Sequence, residues 1–344
     1  MTGVTSTRHV VLRSWPNGAL TSGDLEVVEA PVPELRAGDV LVRNTWLSID
    51  PSIRIRLSRQ TPGGYLPPFA PGQALEGLAL GVVERSESSA FAVGDIVTHT
   101  LGFREHALIS ADTATIGGYG SPTVVRPGGL PEQWFLGPLG SSGLTAYAGM
   151  IGILDVGPAD TVWVSSAAGA VGGLAAGLAV ARGATVIGSA GSAAKVAHLR
   201  AAGLADAFDH HESLPSALAA AAPDGIDAYF DCVGGDHLTA AIDALRPNGR
   251  IAMCGQMSQY DAADAPSLPG NLFQFVSKNL SMRGYRAGSF LHLEADMRAE
   301  ITSLIDAGRL GYDEWVLDGL DSAPAALVSM LAGENIGKTL VRLG

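Results

Sequence analysis

An α/β architecture is expected from this chain, with a doubly wound parallel sheet in one part and an irregular β domain in the other. Three observations lead there. The chain has 344 residues, 47% of them hydrophobic, enough for a large core divided between two domains. Up to about residue 129, short β-rich segments alternate with turns rich in Gly, Pro and Asp. From about residue 140 to 285, apolar strands alternate with helices, the pattern of a parallel sheet covered on both faces.

In the first part, residues 40–48 (VLVRNTWLS) and 81–84 (GVVE) read as strands, and the turns RAGD (36–39) and AVGD (92–95) lead into strands. In the second, strands are expected at 161–165, 184–189, 226–231, 250–254 and 280–285. Helices are expected at 193–202, 237–245 and 271–278. One more helix at 294–307 and a strand at 339–343 close the chain. That tail is expected to rejoin the β domain, giving a discontinuous domain of residues 1–135 and 290–344 around a second domain of residues 136–289.

Residues 162–172 (VWVSSAAGAVG) are the most informative stretch: a strand runs into a glycine-punctuated turn and then an Ala/Leu helix. The spacing SxxGxxG from Ser166 is a relative of the dinucleotide fingerprint. Gly169 lets a pyrophosphate approach the backbone, and Gly172 lets the helix pack closely. Ala170 and Val171 open the helix, whose N-terminal amides favour an anion.

Residues 161–181 carry no charge and are long enough to cross a bilayer. Their Gly, Ala and Ser content and the turn at Ser165, Ser166 and Gly169 argue against a membrane span. Residues 1–8 are polar and do not resemble a secretory leader, so a cytoplasmic protein is expected. A net charge of −12 disfavours nucleic acid and anionic membranes as partners. Two cysteines, Cys232 and Cys254, cannot build a disulfide framework.

Several segments in order carry a resemblance over nearly the whole chain: WLSIDPSIR (46–54), GLTAY (143–147), SAAGAVG (166–172), GSAGSAAK (188–195), DAYFDCVGG (227–235), RIAMCGQMSQY (250–260) and NIGKTLVRL (335–343). The chain resembles a medium-chain dehydrogenase/reductase of the zinc-independent branch that holds prostaglandin and leukotriene reductases, plant double-bond reductases and bacterial curcumin reductase. The resemblance implies a GroES-like domain joined to a Rossmann domain. It also implies an NADPH-dependent enzyme that reduces the C=C bond of enones or enals by hydride transfer to the β-carbon.

No metal is expected. Zinc relatives carry a Cys in the first strand and a GHE segment; here Leu47-Ser48-Ile49-Asp50 and Ala74-Leu75-Glu76 stand there, with Leu75 in place of the ligand histidine. His99, His106, His210 and His211 are expected to be surface or loop histidines.

At the end of the second sheet strand, an NAD-selecting fold places an acidic residue on the ribose 2′-hydroxyl. Here Ser189, Gly191, Ser192 and Lys195 leave no carboxylate to repel a 2′-phosphate. The alternative reading of Lys195 is a solvated helix residue. His210, in place of a common tyrosine, is expected to pair with the phosphate when protonated.

The resemblance further implies Tyr260 as the donor to the developing enolate oxygen, with a passive cleft-wall aromatic as the alternative. Thr145, Cys232, Cys254, Gly255, Tyr260, Tyr285 and Asn335 match cofactor-lining positions, and Cys232 replaces a common asparagine. Asp50, Ser52 and Tyr260 match the substrate side, although Asp50 and Arg54 also read as a structural ion pair between domains. A quinone or carbonyl reductase and a non-catalytic dinucleotide-binding protein are the rival functions. A homodimer is expected through residues 280–285.

Overall fold

The computed structural model describes residues 5–32, 34–110, 121–261 and 269–344; residues 1–4 of the polar opening segment lie outside them. The chain forms two compact units, Met1–Leu136 with Glu314–Gly344, and Gly137–Asp313.

In the first unit, β1 (Ser6–Leu12) and β2 (Leu25–Pro31) form an antiparallel pair. β3 (Val40–Ser48), the short helix α1 (Ile53–Arg56), β4 (Ala79–Ser86), β5 (Ile96–His99), β6 (His106–Ile109) and β7 (Thr123–Val125) follow. The two expected turns are closed by their aspartates. The Asp39 carboxylate accepts the Arg36 amide at 2.9 Å, and Asp95 accepts the Ala92 amide at 2.9 Å. Gly38 and Gly94 supply the left-handed residues, at φ 92° and 91°, that these turns require.

The second unit opens with α2 (Ser141–Tyr147), which continues as a π-helical turn over Ala148–Ile153. β8 (Thr161–Val164), α3 (Ala170–Ala181), β9 (Thr185–Ala190), α4 (Ala193–Ala201), β10 (Asp206–Asp209) and α5 (Leu214–Ala221) come next. β11 (Ile226–Asp231), α6 (Gly235–Ala244), β12 (Leu245–Met253), α7 (Gln274–Ser277), β13 (Ser281–Gly284) and α8 (Glu294–Asp306) complete the unit. The sheet is parallel, in the order β10-β9-β8-β11-β12-β13. This is the doubly wound order of a dinucleotide-binding fold. Trp163 of β8 stacks on Tyr229 of β11 with ring centroids 4.6 Å apart, anchoring a core that includes Ile187, Leu218, Ile242 and Ile251.

Two elements depart from the sequence reading. The helix expected at 271–278 is confined to Gln274–Ser277, because the preceding residues close i→i+3 turns instead, with the amides of Gln274 and Phe275 donating to the Asn271 and Leu272 carbonyls; the Asn271 side chain donates to the Thr239 carbonyl and the Asp243 carboxylate on α6. β12 begins at Leu245, earlier than residue 250, since Leu245 already pairs with Ile226 across a register shift.

The chain then returns to the first unit with β14 (Glu314–Asp318), α9 (Ala323–Leu331) and β15 (Lys338–Arg342). These complete a seven-stranded sheet of order β14-β15-β3-β4-β5-β7, with β6 also on β3. The return falls at Glu314, later than the expected residue 290. Helix α8 accounts for the difference: it buries Met297, Ile301 and Leu304 in the second unit, and its Glu300 accepts the Tyr147 hydroxyl at 2.9 Å and pairs with Arg182 at 2.9 Å.

Candidate functional site

β8 and β11 are neighbours in the sheet although α3, β9, α4, β10 and α5 separate them in sequence. The chain reverses its winding there, and the crevice beyond the carboxyl ends of these strands is where open α/β sheets take ligands. The loop leaving β8 is fixed on both sides. Ser165 donates its amide to the Phe230 carbonyl (3.2 Å) and its Oγ accepts the Cys232 amide (3.0 Å). Ser166 takes a left-handed conformation at φ 52°, and the Ala167 amide donates to the Ser189 carbonyl at 3.0 Å.

Gly169 caps α3 in an extended conformation with no side-chain hydrogen bond. The amides of Ala170, Val171 and Gly172 form the first turn, where no intrahelical acceptor exists. Ala170 and Val171 are half-buried, so those donors border the crevice. A Cβ on Gly172 would overlap the Ser166 carbonyl, so this glycine sets how closely the helix meets the loop.

At the end of β9, Gly191 and Ser192 lead into α4. Ser192 is its N-cap, accepting the Lys195 amide at 3.3 Å. Burial lowers the pKa of the half-buried Lys195 ammonium, a cost that an anionic partner offsets. The His210 ring sits against Gly191, since a Cβ there would lie 2.9 Å from its Cε1. Its pKa is lowered by burial first and then by His211, with Lys195 adding to the effect. The nearby Asp209 carboxylate, at the end of β10, is occupied by the His211 amide (3.0 Å) and ring (2.8 Å).

Ser189 does not join this group. It is fully buried, and its hydroxyl accepts the Trp163 indole N–H at 3.2 Å, so it supports the loop from beneath and is closed to any ligand.

The opposite end of the crevice is built from β11, β12 and α2. Cys232 and Cys254 follow the ends of adjacent strands, with Sγ atoms 3.5 Å apart. The Tyr285 hydroxyl donates to the Thr145 carbonyl at 2.6 Å, and its pKa is raised well above the usual phenol value, by burial first and then by the two cysteines. Thr145 in turn bonds the Ser141 carbonyl at 2.8 Å. Gly255 lies over the Cys232 carbonyl, and the Tyr260 hydroxyl stands 3.7 Å from where a Gly255 Cβ would be. Thr145, Cys232, Cys254, Gly255, Tyr260 and Tyr285 thus gather in one place, as Gly191, Ser192, Lys195 and His210 do in another.

Asp231 was not singled out by the sequence reading. It is fully buried at the end of β11, where its Oδ1 accepts the Tyr229 hydroxyl and the amides of Val233 and Gly234 at 2.7–2.9 Å. Oδ2 is buried without a protein partner, and burial raises the carboxyl pKa. His237, stacked on Trp163 at 5.7 Å, was missed as well. A buried strand ending in Asp before Cys-Val-Gly-Gly was the available signal for the first; the second had none.

In the first unit the partner of Asp50 is Lys338, not Arg54. The buried Lys338 ammonium donates to Asp50 Oδ1 and the Ile49 carbonyl, both at 2.9 Å. Arg54 instead donates to the Gly18 carbonyl (2.8 Å) and Ser58 (3.1 Å). Ser52 is half-buried at the start of α1, and the Asn335 amide closes its own loop on the Gly337 carbonyl at 2.8 Å.

The expectation of surface or loop histidines fails for His106, which opens β6 with both ring nitrogens buried, and for His99. The latter is completely buried between Asn44 (2.9 Å) and the Leu101 amide (3.1 Å), and burial lowers its pKa to about 3. Leu75, in the position of a zinc ligand in relatives, lies in the apolar core with Phe69 and Phe103. Among the described residues no group of three or more His, Cys, Asp or Glu is placed to hold a metal, and no helix is long and apolar enough to cross a membrane.

A parallel sheet with a glycine-bearing turn at its switch point, joined to a mixed β unit, defines a nucleotide-binding α/β protein of the GroES-like plus Rossmann architecture. Family models described as the N-terminal domain of oxidoreductase and as zinc-binding dehydrogenase match residues 8–116 and 170–306. A 2-alkenal reductase (NADP(+)-dependent) of Nicotiana tabacum is 36% identical over 98% of this chain and 97% of its own length. Prostaglandin reductase 1 of Mus musculus is 35% identical over 97% and 99%. The crystal structure of CurA from Vibrio vulnificus in complex with NADPH superimposes with a TM-score of 0.89 at 30% identity, covering 98% of this chain and 99% of that one. The chain belongs to the medium-chain dehydrogenase/reductase family, in the branch of the alkenal and prostaglandin reductases.

Proposed function

We propose that this protein is an NADPH-dependent reductase of the C=C bond of α,β-unsaturated ketones and aldehydes. The observation that carries the cofactor assignment is the crevice itself. Its first-turn α3 amides have no intrahelical acceptor, its β9 end presents Lys195 and His210, and the Asp209 carboxylate, which faces His210, is held by His211. These groups fit a dinucleotide carrying a 2′-phosphate.

In this reading Ala170, Val171 and Gly172 hold the pyrophosphate, while Gly191, Ser192, Lys195 and His210 hold the 2′-phosphate. Thr145, Cys232, Cys254, Gly255 and Tyr285 line the nicotinamide end, with Tyr260 on the substrate side; the family resemblance assigns Asn335 to cofactor binding and Asp50 and Ser52 to substrate binding. NADPH, when bound, supplies the hydride delivered to the β-carbon. The chain's own task is then to stabilise the charge that develops on the carbonyl oxygen. The Tyr260 hydroxyl is the donor for that oxygen, and such a donor is worth about 3 kcal/mol when preorganised.

A panel of enals, enones, quinones and saturated ketones, run with NADPH and with product analysis, tests this reading. Saturated carbonyl products from enones support it; allylic alcohols, or turnover confined to quinones, oppose it.

The assembly is proposed to be a homodimer formed by β13 pairing with its copy. β13 is the exposed edge of the sheet, and Phe273 (76% exposed), Val276 and Met282 leave apolar surface beside it. A cytoplasmic location is supported by the free Cys232 and Cys254, whose adjacent thiols fit a reducing compartment.

A further inference from the structure

Among the groups that line the crevice without a part in hydride or proton transfer, the cysteine pair carries an inference of its own. β11 and β12 run parallel with Asp231 opposite Met253, which sets Cys232 opposite Cys254 one residue on. The Cys254 amide donates to the Asp231 carbonyl at 2.9 Å, so the strand spacing is kept at this level. Neighbouring strands lie about 4.8 Å apart, within the roughly 4.4–6.8 Å between Cα atoms that a disulfide spans. The Sγ atoms are already in contact at 3.5 Å. Closing them to a bond of about 2 Å calls for small side-chain rotations. Cys232 is buried whereas Cys254 is only half-buried, so Cys254 is the more accessible of the two.

We propose that Cys232 and Cys254 form a redox-active dithiol that a hydroperoxide closes to a disulfide, and that this closure weakens dinucleotide binding. The second half rests on the assignment of this crevice end to the nicotinamide. Chemically, the Cys254 sulfur attacks the peroxide, forming an S–O bond as the O–O bond breaks and an alcohol or water leaves. The Cys232 sulfur then displaces water from the sulfenic acid, forming the S–S bond and giving up its proton. Two thiols lose two electrons and the peroxide gains them. Cys254 precedes Gly255, which lies over the Cys232 carbonyl, and its thiol approaches Tyr285, so drawing Cys254 toward Cys232 changes the wall of the crevice.

The test treats the full chain with hydrogen peroxide and reads intact mass, peptide linkage and NADPH affinity. Trypsin cleaves between the two cysteines after Arg250, so a disulfide leaves two peptides joined. The expected result is loss of two hydrogens, one linked pair, reversal by dithiothreitol, and a roughly tenfold reversible fall in NADPH affinity. In Cys232→Ser, oxidation is expected to stop at a sulfenic acid on Cys254 that dimedone traps. Unlinked peptides after peroxide, or sulfinic acid on wild-type Cys254, overturn the dithiol. A disulfide that leaves NADPH affinity within about twofold overturns the switch. If the reduced protein does not bind NADPH, the cofactor reading fails, while the mass and linkage results still decide the dithiol.

Discussion

Replacing Lys195 with alanine separates recognition of the 2′-phosphate from everything else the crevice does. The Lys195 ammonium is half-buried, and its burial lowers its pKa, so a phosphate beside it gains a charge-assisted hydrogen bond in a partly desolvated setting. Such a bond is worth about 1.5–3 kcal/mol, or roughly ten- to 150-fold in dissociation constant. The helix is not compromised by the change. It is the backbone amide of residue 195 that donates to the Ser192 cap, and alanine is a better helix former than lysine. NADPH should therefore weaken by about that factor while NADH, without the phosphate, stays within about twofold. Lys195→Arg should keep most of the preference, because the charge remains. Fluorescence titration of both cofactors against all three proteins measures this. Equal losses for NADPH and NADH, or an NADPH change under about twofold, would refute the assignment.

Three other outcomes are expected. Tyr260→Phe should slow turnover of a simple enone by about a hundredfold with little change in NADPH affinity; a rate within about threefold of wild type removes Tyr260 from the chemistry. Asp50→Asn should lower the melting temperature more than Lys338→Met, since the first leaves an ammonium that is 1% exposed and the second a carboxylate that is 25% exposed. The reverse order contradicts the ion-pair account. Finally, burial holds the buried His237 neutral with a pKa of about 4, while an unfolded histidine titrates near 6.5. The unfolded chain takes up that proton first, so this contribution is complete above about pH 6.5 and is lost progressively as pH falls toward 4, by about 3 kcal/mol. Urea unfolding of wild type and His237→Phe from pH 7 to pH 4.5 should show the flatter profile in the variant; parallel profiles count against it.

The second unit was readable because each of its main signals is local. Runs of β-branched or aromatic residues mark β8, β9 and β11, and the SxxGxxG turn sits between a strand and a helix that its own residues specify. The helix start after β9 was readable for the same reason, with Ser192 capping a helix that starts two residues after Gly191. What escaped depends on partners distant in sequence. Ser189 reads as a polar crevice residue until Trp163, on the neighbouring strand, takes its hydroxyl. Lys338 and Asp50 are separated by most of the chain, and only the pairing of β15 with β3 brings them together. His99 reads as a surface or loop histidine, yet Asn44 and the Leu101 amide satisfy both ring nitrogens inside the core. The return to the first unit was misplaced because nothing in the sequence of α8 announces the Glu300 contacts to Tyr147 and Arg182.

The most direct test of the reductase reading is the fate of the transferred hydrogen. NADPH deuterated at nicotinamide C4 should place deuterium on the β-carbon of a simple enone, read by NMR of a saturated ketone product. Deuterium on the carbonyl carbon of an allylic alcohol, or NADPH binding with no transfer to any enone or enal, would contradict it.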